Sequence, residues 1–538
     1  MTEHKHIGKI VGALMAAVAF CLIVTLFADR FVAVSGSSAT TMEYESTLFD
    51  TSEIMTVNII MDEDQWQELL DNAISEEYYA CDVEINGEMI SNVGIRTKGN
   101  TSLSSIANDP DTDRYSFKIK FDKYVDGQTC MGLDKLVLNN NFADATNRKE
   151  ALVYDMFQYL GADASLYHYS KISVNGEYWG TYLALEAVED SFKLRNYGVS
   201  DGNLYKPETM GMGNDQKEDG GKPDGNPPER PNNADFPSSE EGDLAKDNNP
   251  MDRPERPQGD FDQADMDEKF RNPQGDPGDF GNRNGGADLN YTDDDADSYS
   301  TIWDGADGKV TDSDKERVVT AIKNINEGTN LTTYLDVDNI LKYMAVHEFV
   351  VNLDSLSGNM AHNYYLYEND GQLNIIPWDY NLSFGGMTNG GMGGGPGRES
   401  TESSGATSMI NDPIDTPFDG TDFFDALLEN EEYLAQYHEY LRQLAEEYVQ
   451  GGRLQEVWER LDAQTDELIE TDPTAFYTAA EYEEAKETLW TVLQLRAESV
   501  LGQLDGTIPS TDDGQQNAQD TLIDGSAIDL SVMGEFNH

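Results

Sequence analysis

Between Asp354 and Asp379 the chain sets out an order of elements that restricts how it can fold. A helix is predicted over residues 337–350, running directly into Asp354-Ser-Leu-Ser-Gly-Asn359. A strand follows (Asn363-Tyr-Tyr-Leu-Tyr-Glu368), then a turn (Asn369-Asp-Gly371), a second strand (Leu373-Asn-Ile-Ile-Pro377) and Trp378-Asp379. A hairpin returns the chain to the edge it left, so Asp379 is delivered beside Asp354 and Asn359. Three oxygen donors gathered at one edge suit a hard divalent cation.

The elements before and after this stretch predict an α+β protein. Strands are expected at residues 55–60, 78–85, 93–97 and 115–121, with another near Leu136-Val-Leu-Asn139 and a short helix around Trp66. A helix over 147–160 carries Leu152, Met156, Phe157 and Leu160 on one face and stops at Gly161. Two strands joined by Asn175-Gly176 close this β-rich part. Amphipathic helices are expected near 421–449, 453–470 and 479–503; in the last, Leu489, Val492, Leu493, Arg496 and Val500 recur at helical spacing.

Residues 210–298 have a different composition, dense in Asp, Gly, Pro, Asn and Glu and nearly free of branched apolar side chains. Such a segment buries too little surface to offset its ordering entropy, and it reads as an acidic disordered insertion. A Gly/Met/Ser-rich stretch from Phe384 to about Asn411 reads as a mobile flap or a plain linker. The division expected is a tip and anchor (1–30), a stalk (31–50), a β-rich lobe (51–209), the insertion (210–298), a helical lobe (299–506) and a disordered tail (507–538).

Charge excludes one large class of partner. With 101 acidic against 36 basic residues and a net charge of −65, the chain lacks the basic surface that nucleic acid requires, whereas divalent cations and basic proteins are favoured. Residues 10–28 form an uninterrupted apolar run preceded by Lys5 and Lys9. This predicts a single membrane-spanning helix with the bulk of the chain outside the cytoplasm, a cleaved signal peptide being the alternative. Cys21 lies in that run; Cys81 and Cys130 either pair or stand as two buried thiols.

An Asp and an Asn five apart, with a further Asp brought back by a hairpin, is how a kinase-like lobe assembles a carboxylate that orients the attacking hydroxyl together with its metal ligands. Asp354 is assigned the first role, and Asn359 and Asp379 the second. For the nucleotide phosphates, Lys118 is placed on a strand ahead of the helix bearing Glu150, as a Lys–Glu ion pair, and Arg96 and Lys98 flank the Gly99-Asn-Thr-Ser turn. Trp378 is a candidate to stack on adenine, or a core tryptophan.

Several blocks together resemble the CotH family of spore-coat and cell-surface kinases: Arg96-Thr-Lys-Gly-Asn-Thr-Ser, Ser116-Phe-Lys-Ile-Lys-Phe, Tyr159-Leu-Gly161, Val174-Asn-Gly-Glu-Tyr-Trp-Gly-Thr-Tyr-Leu-Ala-Leu-Glu186, Gly202-Asn-Leu-Tyr-Lys206 and His362-Asn-Tyr-Tyr-Leu-Tyr with Ile376-Pro-Trp-Asp379. The resemblance implies a bilobal atypical protein kinase that transfers phosphate from ATP to serine with Mg²⁺ or Mn²⁺. Asp354 would be its catalytic aspartate and Asp379 its metal aspartate. Trp-Asp-Tyr-Asn stands where ordinary kinases carry Asp-Phe-Gly, and no G-x-G-x-x-G loop is present. The expected activity is therefore phosphotransfer to Ser or Thr of a secreted or surface protein, basic and serine-rich by charge complementarity. A noncatalytic surface adhesin and a phosphotransferase acting on a glycan or polyphosphate are the alternatives.

Overall fold

The computed structural model describes residues 40–209, 285–357, 361–387, 402–418 and 420–534. Its first half is a barrel. The strands are β1 (Met55–Ile60), β2 (Tyr79–Ile85), β3 (Glu88–Lys98), β4 (Ser116–Lys120), β5 (Lys135–Asn139), β6 (Tyr167–Val174) and β7 (Glu177–Glu186), and they close in the order β1-β2-β3-β4-β5-β7-β6. Alternation decides which side chains fill it: Val57, Ile59, Val83, Ile85, Val93, Ile95, Phe117, Ile119, Leu136 and Leu138 point inward and are buried. A parallel pairing of β1 with β6, Val57 opposite Ile172, makes the closure. Asn175 and Gly176, both at positive φ, turn β6 into β7.

The outward faces of β5, β6 and β7 are apolar as well, through Val137, Tyr167, Tyr169, Leu183 and Leu185, and they belong to a second core shared with helices. Four helices matter for the site and its support: α1 (Lys149–Leu160), α2 (Val337–Val350), α3 (Arg453–Glu470) and α4 (Ala479–Leu504). A three-stranded sheet, β10-β9-β8, made of β8 (Asn203–Tyr205), β9 (Tyr364–Asn369) and β10 (Gln372–Pro377), packs among them. The β9–β10 turn is Asp370-Gly371, both left-handed, as a two-residue hairpin requires.

The bilobal kinase layout is not what the described residues form. A closed seven-stranded barrel stands where the β-rich lobe of a bilobal layout was expected, because β1, read only as a first strand, also pairs with β6 and leaves no free edge. Barrel and helices belong to one compact unit. No helix among the described residues is long and apolar enough to cross a membrane, and residues 10–28 lie outside them. The mixing of helix and sheet stands.

Three further expectations meet the structure differently. Residues 40–50, assigned to a stalk, fold back: Tyr44 and Leu48 are buried, and the Tyr44 hydroxyl donates to Glu186 at 2.5 Å. Residues 507–534, assigned to a disordered tail, dock through Met533, which is fully buried and whose carbonyl accepts from the Ala145 N–H at 3.1 Å. Their polar composition hid a few apolar anchors. Within the stretch assigned to the insertion, residues 285–298 are ordered, with Ala287 and Leu289 buried; residues 210–284 lie outside the described part. The Gly/Met/Ser-rich stretch includes a helix, Glu402–Ile410, while residues 388–401 also fall outside. Cys81 and Cys130 are two separate buried thiols, and burial pushes the Cys130 thiol up to about 12.

Candidate active site

Alternation along β3 to β5 sends Lys98, Lys118 and Asn139 to the outer face of the barrel, the face turned towards the β9–β10 hairpin. Lys98 Nζ donates to Asn139 Oδ1 at 3.0 Å, and Asn139 Nδ2 donates to Glu150 Oε2 at 2.9 Å. Glu150 enters from the first turn of α1 and is 3 % exposed. Burial, then the charge of Asp379, pushes its carboxyl up to about 8, against the pull of the Asn139 hydrogen bond and the Lys98 charge. Its Oε1 has no hydrogen-bond partner.

Asp354 and Asp379 meet at this place from the other side. Asp354 follows α2 and is gripped by two neighbours at the entry to β9. His362 Nε2 lies 2.6 Å from its Oδ1, and Asn363 Nδ2 donates to its Oδ2 at 3.0 Å and to its carbonyl at 2.9 Å. Asp379 follows β10 with φ +62. Burial raises its carboxyl above the ordinary range, with the charge of Asp354 adding to it, while Lys98, Lys206 and His362 pull the other way. Burial acts to lower the His362 imidazole, but the Asp354 contact, with Glu208 and Asp379 further off, leaves it above its ordinary value. These six groups therefore share one electrostatic neighbourhood.

The backbone around them is held in an uncommon conformation. Val351, Ala361, Asn363, Asp379 and Phe384 all have φ between +48 and +62. For β-branched Val351 this is a real steric cost, which the surrounding packing must impose, and such strain concentrates at functional sites. His347, near the end of α2, ties the two carboxylate-bearing segments together: Nε2 contacts Ser357 Oγ at 2.7 Å and Nδ1 contacts the Tyr380 hydroxyl at 3.1 Å. Burial lowers its pKa to about 3, so the ring is neutral, with one nitrogen donating and the other accepting.

Of the residues predicted for nucleotide contact, Lys98 and Glu150 come together, with Asn139 between them, and the cation acting on Glu150 is Lys98. Lys118, expected in that role, instead lines a cleft with Lys206, Glu208 and Tyr365. Strand register is the cause: Lys118 lies opposite Val137 of β5, two pairs away from the Lys98–Asn139 row. Arg96 is directed to Glu76 in a buried ion pair of 2.8 Å and stays out of the site. Trp378 is 4 % exposed, set edge-on against Tyr365 with Lys98 Nζ 5.6 Å from its ring centre, so it packs as a buried tryptophan beside Lys98. Asn359 lies outside the described residues.

Sequence reasoning left His347, His362, Asn139 and Lys206 without a role. His362 and Lys206 sat inside blocks already singled out. A histidine in the last turn of a helix as apolar as Met344-Ala-Val-His-Glu-Phe-Val was the available signal for His347.

Buried carboxylates with lysines close by are the equipment of phosphoryl-transfer proteins, which position charge and do little covalent work. The family model described as CotH kinase protein matches residues 95–500, about three quarters of the chain, and the chain belongs to that family. The match omits β1 and β2, so the pairing that closes the barrel falls outside it. No curated protein matches the chain.

Proposed function

We propose that this chain is an ATP-dependent protein kinase that transfers the γ-phosphoryl group to a serine or threonine hydroxyl. The observation that supports this best is that Asp354 and Lys98, from distant parts of the sequence, both act electrostatically on the buried Asp379. In the reaction the acceptor oxygen forms its bond to phosphorus as the bond from phosphorus to the ADP oxygen breaks. Asp354 orients the hydroxyl and takes its proton; His362 and Asn363 hold that carboxylate in place. Lys98, fixed by Asn139 and Glu150, places a cation on the phosphates, and Lys206 adds a second.

Among the described residues no group of three or more His, Cys, Asp or Glu is arranged to hold a metal ion by itself. That suits Mg²⁺ or Mn²⁺ arriving with the nucleotide, which takes one or two carboxylates plus phosphate oxygens. Asp379, raised by burial and by Asp354, and the unpartnered Glu150 Oε1 fit such an ion. Asp379 would hold it, with Asn359 as the second expected ligand. Bound there, the ion would neutralise charge on the transferring phosphate. The net charge of −65 favours a basic acceptor protein.

The test is D354N. Wild-type protein with ATP and Mn²⁺ is expected to label a basic serine-containing peptide, and D354N to lose at least about a hundredfold in rate, at the lower end of general-base catalysis, while melting within a few degrees of wild type. Equal labelling by D354N would end the proposal.

A further inference from the structure

We propose that His362 is a positioning residue that sets the orientation of the Asp354 carboxylate; this rests on the phosphotransfer reading above. The two side chains are only 8 % and 13 % exposed, so solvent has little part in holding either. An ionised carboxylate only accepts hydrogen bonds, so the proton in the 2.6 Å contact sits on Nε2 of His362. Asn363 takes the other oxygen from the next residue of the chain. With both oxygens engaged, the rotation of the carboxylate about its own axis is fixed, and its remaining lone pairs have one direction to face.

The backbone shows the same arrangement. Ala361 and Asn363 flank His362 at φ +49 and +56, a kink that presents two successive side chains to one carboxylate. An extended strand would send them to opposite faces. Asp354 has competing attractions, because Lys98 and Lys206 bear on Asp379 beside it. Released from His362, the carboxylate would turn towards those lysines and away from the acceptor hydroxyl. The titratable groups facing His362 are Asp354, Glu208 and Asp379. Of these, only Asp354 is in hydrogen-bond contact with the His362 ring.

Geometry makes the role separable from simple packing. A glutamine side chain carries its amide nitrogen to about the position of a histidine Nε2, whereas asparagine reaches only to that of Nδ1. The full-length protein with ATP, Mn²⁺ and a basic serine peptide is compared as wild type, H362Q, H362N and H362L. Asparagine and leucine are expected to lower kcat about ten- to a hundredfold, as a misplacement near 1 Å does, with KM for ATP within twofold. Glutamine is expected to stay within about threefold of wild type. Equal losses in H362Q and H362N, or a rise in KM with kcat unchanged, overturn the inference.

Wild-type turnover by D354N overturns the kinase reading itself and this inference with it. A second measurement needs no acceptor. In D354N the nitrogen resonances of the His362 ring are expected to move and its titration to fall to lower pH. An unchanged His362 spectrum refutes the contact even where no transfer is detected.

Discussion

Glu150 offers a perturbation whose size can be worked from its surroundings. Its carboxyl is almost wholly buried, shares a site with Asp379, and is pushed from an ordinary 4.5 to about 8, burial being the larger cause. Because the folded-state value is raised, the stability it confers is complete below pH 4.5 and is lost as pH climbs through about 8. Each pH unit of that interval is worth about 1.4 kcal/mol, so the loss for wild type is on the order of 5 kcal/mol over the whole interval and on the order of 4 kcal/mol above pH 5. E150Q keeps the shape and still accepts from Asn139 but cannot ionise. Urea unfolding is followed at pH 5 and pH 9 in EDTA, which keeps divalent ions from relieving the charge. Wild type is expected to lose on the order of 4 kcal/mol more than E150Q between the two pH values. Parallel behaviour of the two proteins would mean that Glu150 ionises freely, and the account of the Lys98–Asn139–Glu150–Asp379 cluster would fail.

R496M should destabilise the fold by about 3 to 5 kcal/mol, since it strands Glu348, paired with Arg496 at 2.7 Å and fully enclosed; E348Q/R496M together should recover part of this in the same urea assay, and no recovery would count against an uncompensated charge as the cause. Truncation after Asp505 should lower the melting temperature by several degrees and abolish stabilisation by ATP and Mn²⁺, because Met533 and Gly534 brace residues 143–149, which lead into α1 and Glu150. A truncated protein that melts and responds to nucleotide like the full chain would return the tail to the status of a passive appendage.

The local parts of this protein were legible in its residues. The β6–β7 and β9–β10 hairpins followed from Asn-Gly and Asp-Gly turns between alternating strands, and α1 ended at Gly161, which takes the left-handed conformation at φ +68. The order of Asp354, the hairpin and Asp379 was likewise readable, because a hairpin's return is a local property. Residues 507–534 read as disorder in the sequence, since composition averages away the buried Ile508 and Met533 that anchor them.

What the sequence determined by itself was therefore many of the strands and helices, the family resemblance and the placing of Asp354 and Asp379 at the two ends of one hairpin, all governed by periodicity and turn residues acting over a few positions. Tertiary structure alone decided that β1 closes onto β6, that Lys98 and not Lys118 serves Glu150, and that two histidines hold the carboxylate-bearing segments. Those outcomes depend on strand register and on burial, which raises or lowers a charge according to neighbours brought from distant parts of the chain.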